Sequence, residues 1–387
     1  MDPLVYALSL RDISGVGPVL YKRLIETFQT PEAVFSETED ALSSIEGISE
    51  LSVKNILTFN DFDPAKREME KIEKDGVTVL TLNDPAYPKL LSEIYDPPPI
   101  LYRKGNAAAP DPYPIAMVGT RNITPYGKSV AEWIASELAK VGITVVSGFA
   151  RGVDGIVHQS ALHTGGRTIA VFGCGIDVLY PREHKKLYDE IIANGFVFSE
   201  FPMGTNPEPR NFPKRNRIIS GLALGSIIVE AAERSGSLIT ARQALEQGRE
   251  VFAIPGSIFS ETSKGVHSLI QSGAKLVQSV EDILRELLPQ IRASHFLHPT
   301  LPPSGVTPPQ MLFRPTIQKE PLKKNKILPE MTADVKKIYD LLSDEPKQIN
   351  TLIEESSLGA GMVSYHLLEL ELQGVIRQIT GQFYVRT

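Results

Sequence analysis

The chain has 387 residues, 42% of them apolar and 22% charged, with a net charge of -6. That length accommodates two or three domains with a sizeable core, and the composition is that of a soluble globular protein. A single cysteine, Cys174, excludes an intramolecular disulfide and a thiolate metal cluster, and the mild acidity excludes a nucleic-acid binder that uses its whole surface.

Residues 1–63 read as a helical module. Leu4, Leu8, Leu20, Leu24, Ile25 and Phe28 recur at helical spacing. Two turns, Ile13-Ser14-Gly15-Val16-Gly17-Pro18 and Ile45-Glu46-Gly47-Ile48-Ser49, each lead into a helical run with a lysine in it, Lys22 and Lys54. They look like a pair of helix-hairpin-helix motifs, whose turns can offer backbone N–H groups to a DNA phosphate. Ser49 stands where the second glycine would be. Four basic residues face eleven acidic ones over this stretch, which favours a structural or protein-contacting role. The N-terminus lacks a basic and apolar leader pattern, and no apolar run approaches the ~20 residues that cross a bilayer, so a soluble, cytoplasmic protein without membrane contact is expected.

Residues 64–290 form the next unit. A charged helix over 64–75 and a strand over 77–80 precede an irregular, proline-rich segment, and residues 99–102 read as extended chain entering the core. Strands then alternate with helices. Strands are predicted at 115–119, 143–147, 168–172, 196–199, 226–229 and 251–254, and helices at 126–141, 153–164, 182–193, 237–247 and 266–272. Continuous apolar strands separated by helices indicate a parallel sheet covered on both faces, with ligands beyond the carboxyl ends of the strands.

Those strand ends carry the functional signal. The turns are Gly119-Thr120-Arg121-Asn122, Ser147-Gly148-Phe149-Ala150-Arg151-Gly152, Gly173-Cys174-Gly175 and Pro255-Gly256-Ser257. Glycines let backbone N–H groups approach an anion, and arginines add charge and fork geometry. Between the fourth and fifth of the alternating strands lies Arg210-Asn211-Phe212-Pro213-Lys214-Arg215-Asn216-Arg217, with four cations in eight residues and no acid. Clustered cations repel one another, so an anionic partner is expected opposite them. Neither G-x-G-x-x-G nor G-x-x-x-x-G-K-[ST] occurs at the turns, which disfavours dinucleotide and P-loop chemistry.

Were the anionic partner a nucleic-acid strand, it would need a cationic track for its phosphates and planar groups for its bases. Arg121, Arg151, Lys214, Arg215 and Arg217 supply the track, although Arg215 and Arg217, two apart, point differently on a helix. Phe212 is either a stacking platform or an inward-packing ring. Asn216 either reads a base edge or caps a helix expected to begin near Arg217.

Catalytic candidates are few. His158 and His163 sit at i, i+5, off the metal spacing, with no third ligand. Asp154 and Asp177 suit helix or turn capping. Glu200 and Glu230 at strand ends are expected to pair with arginines, and Cys174 is expected to be a small buried side chain.

Residues 291–330 are a proline-rich linker with Lys323, Lys324 and Lys326. Residues 331–387 read as three helices and a hairpin, resembling a winged helix. Its third helix, the one that enters a major groove in a duplex reader, offers Ser364, His366, Glu369 and Glu371 and no Lys or Arg, so protein contact is favoured.

Val118-Gly119-Thr120-Arg121, Ser147-Gly148-Phe149-Ala150-Arg151-Gly152-Val153-Asp154, Gly173 to Pro181, Phe212 to Gly221, Ala232 to Thr240 and Ile254-Pro255-Gly256 together resemble the DNA-processing protein A (DprA/Smf) family over roughly residues 64–290. The C-terminal module resembles that family's winged-helix tail. The resemblance implies an extended Rossmann-like core and a non-catalytic, cofactor-free protein. That protein would bind single-stranded DNA, dimerise through the core near Gly265 to Ala274, and load RecA recombinase during natural transformation. It also implies that Arg121 and Lys214 to Arg217 line the DNA site. With the turn residues the expected nucleic-acid set is Gly119, Thr120, Arg121, Ser147, Gly148, Arg151, Gly152, Phe212, Lys214, Arg215, Asn216, Arg217 and Gly256. Two alternatives stand beside it: a nucleotide hydrolase of the phosphoribohydrolase type, from whose motif Arg234 to Thr240 departs, and a duplex-DNA regulator acting through the winged helix.

Overall fold

A computed structural model describes residues 1–106, 113–287, 333–343, 347–356, 358–372, 375–379 and 383–386. The chain divides into two units, Met1–Thr307 and Pro308–Thr387. The linker expected at 291–330, with its lysines, lies outside the described residues.

The first unit opens with five helices: α1 (Pro3–Asp12), α2 (Pro18–Phe28), α3 (Pro31–Ser36), α4 (Glu39–Ser43) and α5 (Glu50–Leu57). Prolines start α1, α2 and α3, and Asp2, Thr30, Thr38 and Ser49 cap α1, α3, α4 and α5 through their side chains. Ser49 is thus the N-cap of α5. The two hairpin turns interlock. Ser52 Oγ and Asn55 Nδ2 on α5 donate to the carbonyls of Gly15 and Ser14, while Arg23 on α2 donates to the carbonyl of Glu46. Gly15 has φ +93°, and a Cβ there would lie 2.4 Å from Ser52 Oγ, so the close crossing needs glycine.

This module shares its packing with the sheet. Val5, Ala7 and Leu8 of α1 sit in one cluster with Ile100, Tyr102 and Phe172. A polar tie reinforces it: Glu68, on α6 (Asp63–Lys74), accepts from Arg11 at 2.8 Å, from Tyr102 Oη at 2.6 Å and from the Met203 N–H at 2.9 Å, and Arg11 also donates to Tyr102. A buried carboxylate with this many donors is stabilised in its charged form.

The core is a nine-stranded sheet: β1 (Thr78–Thr81), β2 (Ile100–Gly105), β3 (Pro114–Val118), β4 (Thr144–Ser147), β5 (Thr168–Val171), β6 (Phe196–Ser199), β7 (Gly225–Ile228), β8 (Glu250–Ala253) and β9 (Lys275–Leu276), in the order β1-β2-β6-β5-β4-β3-β7-β8-β9. The seven strands from β6 to β9 run parallel, and β1 and β2 add antiparallel at one edge. The extended entry at 99–102 is therefore a strand. The connecting helices are α7 (Lys89–Ser92), α8 (Pro125–Lys140), α9 (Val153–His163), α10 (Lys185–Asn194), α11 (Asn211–Gly221), α12 (Ser237–Glu246) and α13 (Glu261–Gln271). Apolar clusters cover both faces of the sheet. From β3 the chain moves outward through β4, β5 and β6, then returns to place β7 on the other side of β3. That reversal makes the β3/β7 crevice the topological switch point.

Four elements depart from the sequence reading. Helix α11 begins at Asn211, not near Arg217, because Pro213 falls in the first turn, where its missing N–H forfeits no intrahelical bond. Helix α13 begins at Glu261 rather than 266, and β9 and a helix at 280–287 were not anticipated.

The second unit has α14 (Ala333–Leu341), β10 (Lys347–Gln348), α15 (Ile349–Ser356), α16 (Ala360–Leu372), β11 (Ile376–Ile379) and β12 (Phe383–Arg386), the strands forming an antiparallel sheet in the order β10-β12-β11. Val335, Ile338, Leu352, Val363 and Leu367 form its core. This is a winged helix with a short third strand. On α16, Ser364 is exposed as expected, but His366 is buried, 8% exposed, so it does not belong to the helix's outer face. Met362 and Tyr365 are exposed instead. The side chain of Glu369 lies outside the described residues.

Candidate nucleic-acid interface

The parallel strands end on one edge, and the turns that follow them meet there. After β3, the Thr120 N–H donates to the Glu230 carbonyl at 2.8 Å, and the Thr120 carbonyl accepts from the Val153 N–H at 3.2 Å. The glycine turn after β3 is thereby stitched both to the chain after β7 and to the start of α9. Arg121 projects from it, exposed. After β4, Phe149 has φ +61°, an uncommon conformation for a ring-bearing residue, and its ring is buried against Phe172 and His184. Gly152 has φ +73°, and a Cβ there would lie 2.4 Å from the Thr120 carbonyl oxygen and 2.6 Å from that of Arg121. Gly152→Ala is expected to cost about 1–3 kcal/mol of stability. It should also displace the Arg121 turn, read as a lowered thermal midpoint with weakened anion binding.

Helix α11 brings the basic stretch to the same edge but uses its cations for two purposes. Lys214 is exposed, and Arg210 is exposed beside Glu208. Arg215 is 3% exposed. Its guanidinium donates to the carbonyl of Gly148 at 2.6 Å and to that of Val171, at the ends of β4 and β5. Burial pulls its pKa down to about 10, with Asp154 opposing the shift, so it remains cationic at neutral pH. Asp154, in the first turn of α9, accepts from the Ala150 N–H at 3.2 Å, and burial raises its pKa against the pull of Arg215. Arg217 is 8% exposed and forks onto Glu200, with both N–H···O distances 2.7 Å, while its Nε donates to Asp96 at 2.9 Å. Burial opposes its charge, and the two carboxylates more than restore it.

The expected site residues therefore separate. Arg121, Arg151, Lys214, Thr120, Gly119, Gly152, Asn216 and Gly256 are exposed or half-exposed, although Arg151 is ion-paired with Glu183. Arg215 and Arg217 face inward and are braces, which corrects the expectation that they join the cationic track. Ser147 and Gly148 are buried as well, the Ser147 hydroxyl donating to the Met117 carbonyl at 2.6 Å. Asn216 sits mid-helix, bonded to Arg215 and to the Gly236 carbonyl, and caps nothing. Phe212 combines both readings. It rests on the bare Cα of Gly173, where a Cβ would lie 2.9 Å from the ring, yet it is half-exposed with Arg121 5.6 Å from its centroid. Tyr180, not singled out by the sequence reading, packs 5.8 Å from Phe212 and is exposed. Only its place in the Gly173 to Pro181 segment pointed to it. Beneath these rings a cavity of about 30 Å³ lies among Arg121, Gly148, Arg151, Gly173, Tyr180 and Phe212. That is room for little more than a water, so an anion would rest on the rim.

The remaining candidates are structural in their contacts. Glu200 pairs with Arg217 as expected, but Glu230 accepts from the Thr124 N–H and hydroxyl rather than from an arginine. Asp177 accepts from the Gly204 N–H at 2.8 Å. His158 is buried and bonded to Thr168, whereas His163 is exposed. Cys174 is buried, its thiol pushed up to about 12 by desolvation, which makes it a poor nucleophile. Among the described residues no group of three metal-ligating side chains converges, and no helix is long and apolar enough to cross a membrane.

A parallel sheet with glycine turns, exposed cations and aromatic rings along its carboxyl edge defines a Rossmann-like α/β protein with a cationic ligand edge. The sequence pattern of the DNA recombination-mediator protein A family matches residues 78–288, that of the DprA winged helix matches 323–382, and a SAM-like helix-hairpin-helix tandem matches 7–58. Protein Smf of Synechocystis is 35% identical over 98% of both chains, and the DNA processing protein DprA of Bacillus subtilis is 45% identical over 57% of this chain and 75% of its own. The crystal structure of DprA from Streptococcus pneumoniae superposes with a TM-score of 0.62 at 38% identity, covering 74% of this chain and 98% of that one. DNA processing protein A of Helicobacter pylori, whose single-stranded DNA binding mode has been described, superposes with a TM-score of 0.50 at 33% identity, covering 55% of this chain and 96% of that one. The chain belongs to the DNA recombination-mediator protein A (DprA/Smf) family.

Proposed function

We propose that this chain is a non-catalytic single-stranded DNA-binding mediator in the cytoplasm that protects incoming strands and loads a RecA recombinase onto them during transformation and recombination. The observation that carries the reading is the exposed Arg121 over the half-exposed Phe212 ring, with Lys214 free on the first turn of the same helix. A phosphate track beside a ring is what a single strand requires, because backbone charge supplies affinity and every base offers a face to stack. The single-stranded DNA binding of the Helicobacter pylori relative supports it. The engagement of Cys174, His158, Glu200 and Asp154 in structural contacts supports a binding rather than a catalytic role. A homodimer formed through α13 and β9, where Leu276 is exposed, completes the proposal.

The test is binding of fluorescent oligo-dT to the wild type and to Arg121→Glu/Lys214→Glu across a salt series. Wild-type log affinity should fall against log salt with a slope of roughly -3, for about four phosphates. The double variant should bind about 30-fold or more weakly at low salt with unchanged circular dichroism, since both side chains are exposed. Equal binding by the folded variant would remove this edge as the site. Absence of binding by the wild type, with ribose 5-phosphate released from a nucleoside monophosphate, would favour the hydrolase instead.

A further inference from the structure

One ring at the working edge of the sheet has almost no protein contact. Phe259 is 90% and Ile258 73% exposed, on the loop between β8 and α13. Water is a poor environment for a phenylalanine, and two adjoining exposed apolar side chains at a ligand-binding edge, with the Tyr126 ring exposed beside the same loop, point to a partner that covers them. The pair's neighbours Ser257 and Ser260 line an open depression of about 580 Å³, shared with Thr124, Tyr126, Glu230 and Ser263, so Phe259 stands at the rim. Tyr126 is 52% exposed, and its hydroxyl donates to the Pro255 carbonyl at 2.7 Å, joining the start of α8 to the loop after β8.

Position and chemistry together say what fits. The depression sits at the switch point, where the chain after β3 and the chain after β7 meet through Thr124 and Glu230. β3, β7 and β8 are neighbours, so with strands about 4.8 Å apart the Arg121 turn and the Phe259 loop start roughly 10 Å from each other. A strand held at Arg121 that continues along the edge toward β8 reaches the depression within a nucleotide or two. No lysine or arginine lines it, and the buried Glu230 carboxylate does. That charge repels a phosphate, whereas hydroxyls, a carbonyl and two rings suit a base and its sugar.

We propose that this depression is a base-binding subsite and Phe259 its stacking platform, for a nucleotide of the same single strand whose phosphates lie on Arg121 and Lys214. The proposal rests on the single-strand reading above. It adds a second base position on the β7–β8 side of the switch point to the phosphate track and Phe212 ring on the β3–β5 side.

The experiment uses the full chain with Phe259→Ala and Phe259→Trp, short and long oligo-dT, and an abasic deoxyribose-phosphate strand as probes. Phe259→Ala should weaken long oligo-dT by about tenfold, leaving the salt slope unchanged because no phosphate contact is lost. Phe259→Trp should restore binding, and the abasic strand should bind wild type and Phe259→Ala alike. Wild-type affinity of Phe259→Ala, alongside lost binding by Arg121→Glu/Lys214→Glu, would overturn the subsite and leave the single-strand reading standing. An equal loss on the abasic strand would also overturn it, as would loss of dimer mass in sedimentation with oligo-dT affinity unchanged, which would assign the ring to a second copy of the chain. No binding of any strand by the wild type would bring down both readings.

Discussion

Replacing Arg217 by alanine is expected to lower the unfolding free energy by about 3–5 kcal/mol, the cost of leaving a buried carboxylate without its partner. Glu200 has 15% of its side chain exposed and would lose a two-pronged guanidinium, while Asp96, at 39%, can turn back to water. The loss should appear as a lower urea midpoint at unchanged slope. Arg217→Met/Glu200→Leu should recover much of it, because an apolar pair of similar volume pays no desolvation cost. Lys214→Ala, three residues away on the exposed face, should stay within about 0.5 kcal/mol of wild type. An Arg217→Ala effect below about 1 kcal/mol would show that the pair behaves like a surface bridge and that the burial argument is wrong.

Acid should destabilise the protein through His158. Its ring is buried, and desolvation lowers its pKa from 6.5 to about 3, with His184 and Arg215 adding to the shift. The Thr168 hydroxyl already donates to the Val145 carbonyl, so His158 must give its Nδ1 proton to Thr168, leaving Nε2 bare and unpartnered inside the protein. Between pH 6.5 and 3 the unfolded chain binds a proton there and the folded chain does not. Stability is therefore full above the unfolded value and is lost as pH falls, at about 1.4 kcal/mol per pH unit and up to about 4–5 kcal/mol in all. His158→Gln should flatten that slope in urea titrations taken across the range. An unchanged acid limb would mean that other groups carry the transition.

The sheet was legible because buried parallel strands are short unbroken apolar runs: Ile115 to Val118, Val145 and Val146, Ile169 to Val171 and Ile227 to Val229, each bounded by turn residues and followed by a helical stretch. Elements without that signature escaped. β9 is two residues long, and the first turn of α13, Glu261-Thr262-Ser263-Lys264, offers no apolar period. At the site, the turns and the basic stretch were visible as residue types, and their gathering on one edge followed from the alternation of strands and helices. Which cations reach water was not visible. The partners that turn Arg215 and Arg217 inward are two strand-end carbonyls, Asp96 and Glu200, all far away in sequence. The start of α11 was missed for a local reason, since Pro213 reads as a helix breaker unless it is known to lie in the first turn. Phe259 carries no motif, and only its exposure marks it.

The brace geometry of α11 also sets what directed evolution can do with this protein. Arg215 pins the helix to the ends of two strands and Arg217 pins it to two carboxylates, so those positions hold the platform and tolerate no exchange of role with their neighbours. Arg210, the residue that precedes the helix, and Pro213 and Lys214 in its first turn are exposed and are held by little beyond Glu208 and a long contact from Gln243. A library confined to those three codons would tune strand affinity over a wide range while nearly every member folds. One that randomised the basic stretch uniformly would spend most of its diversity on chains that never reach the binding assay.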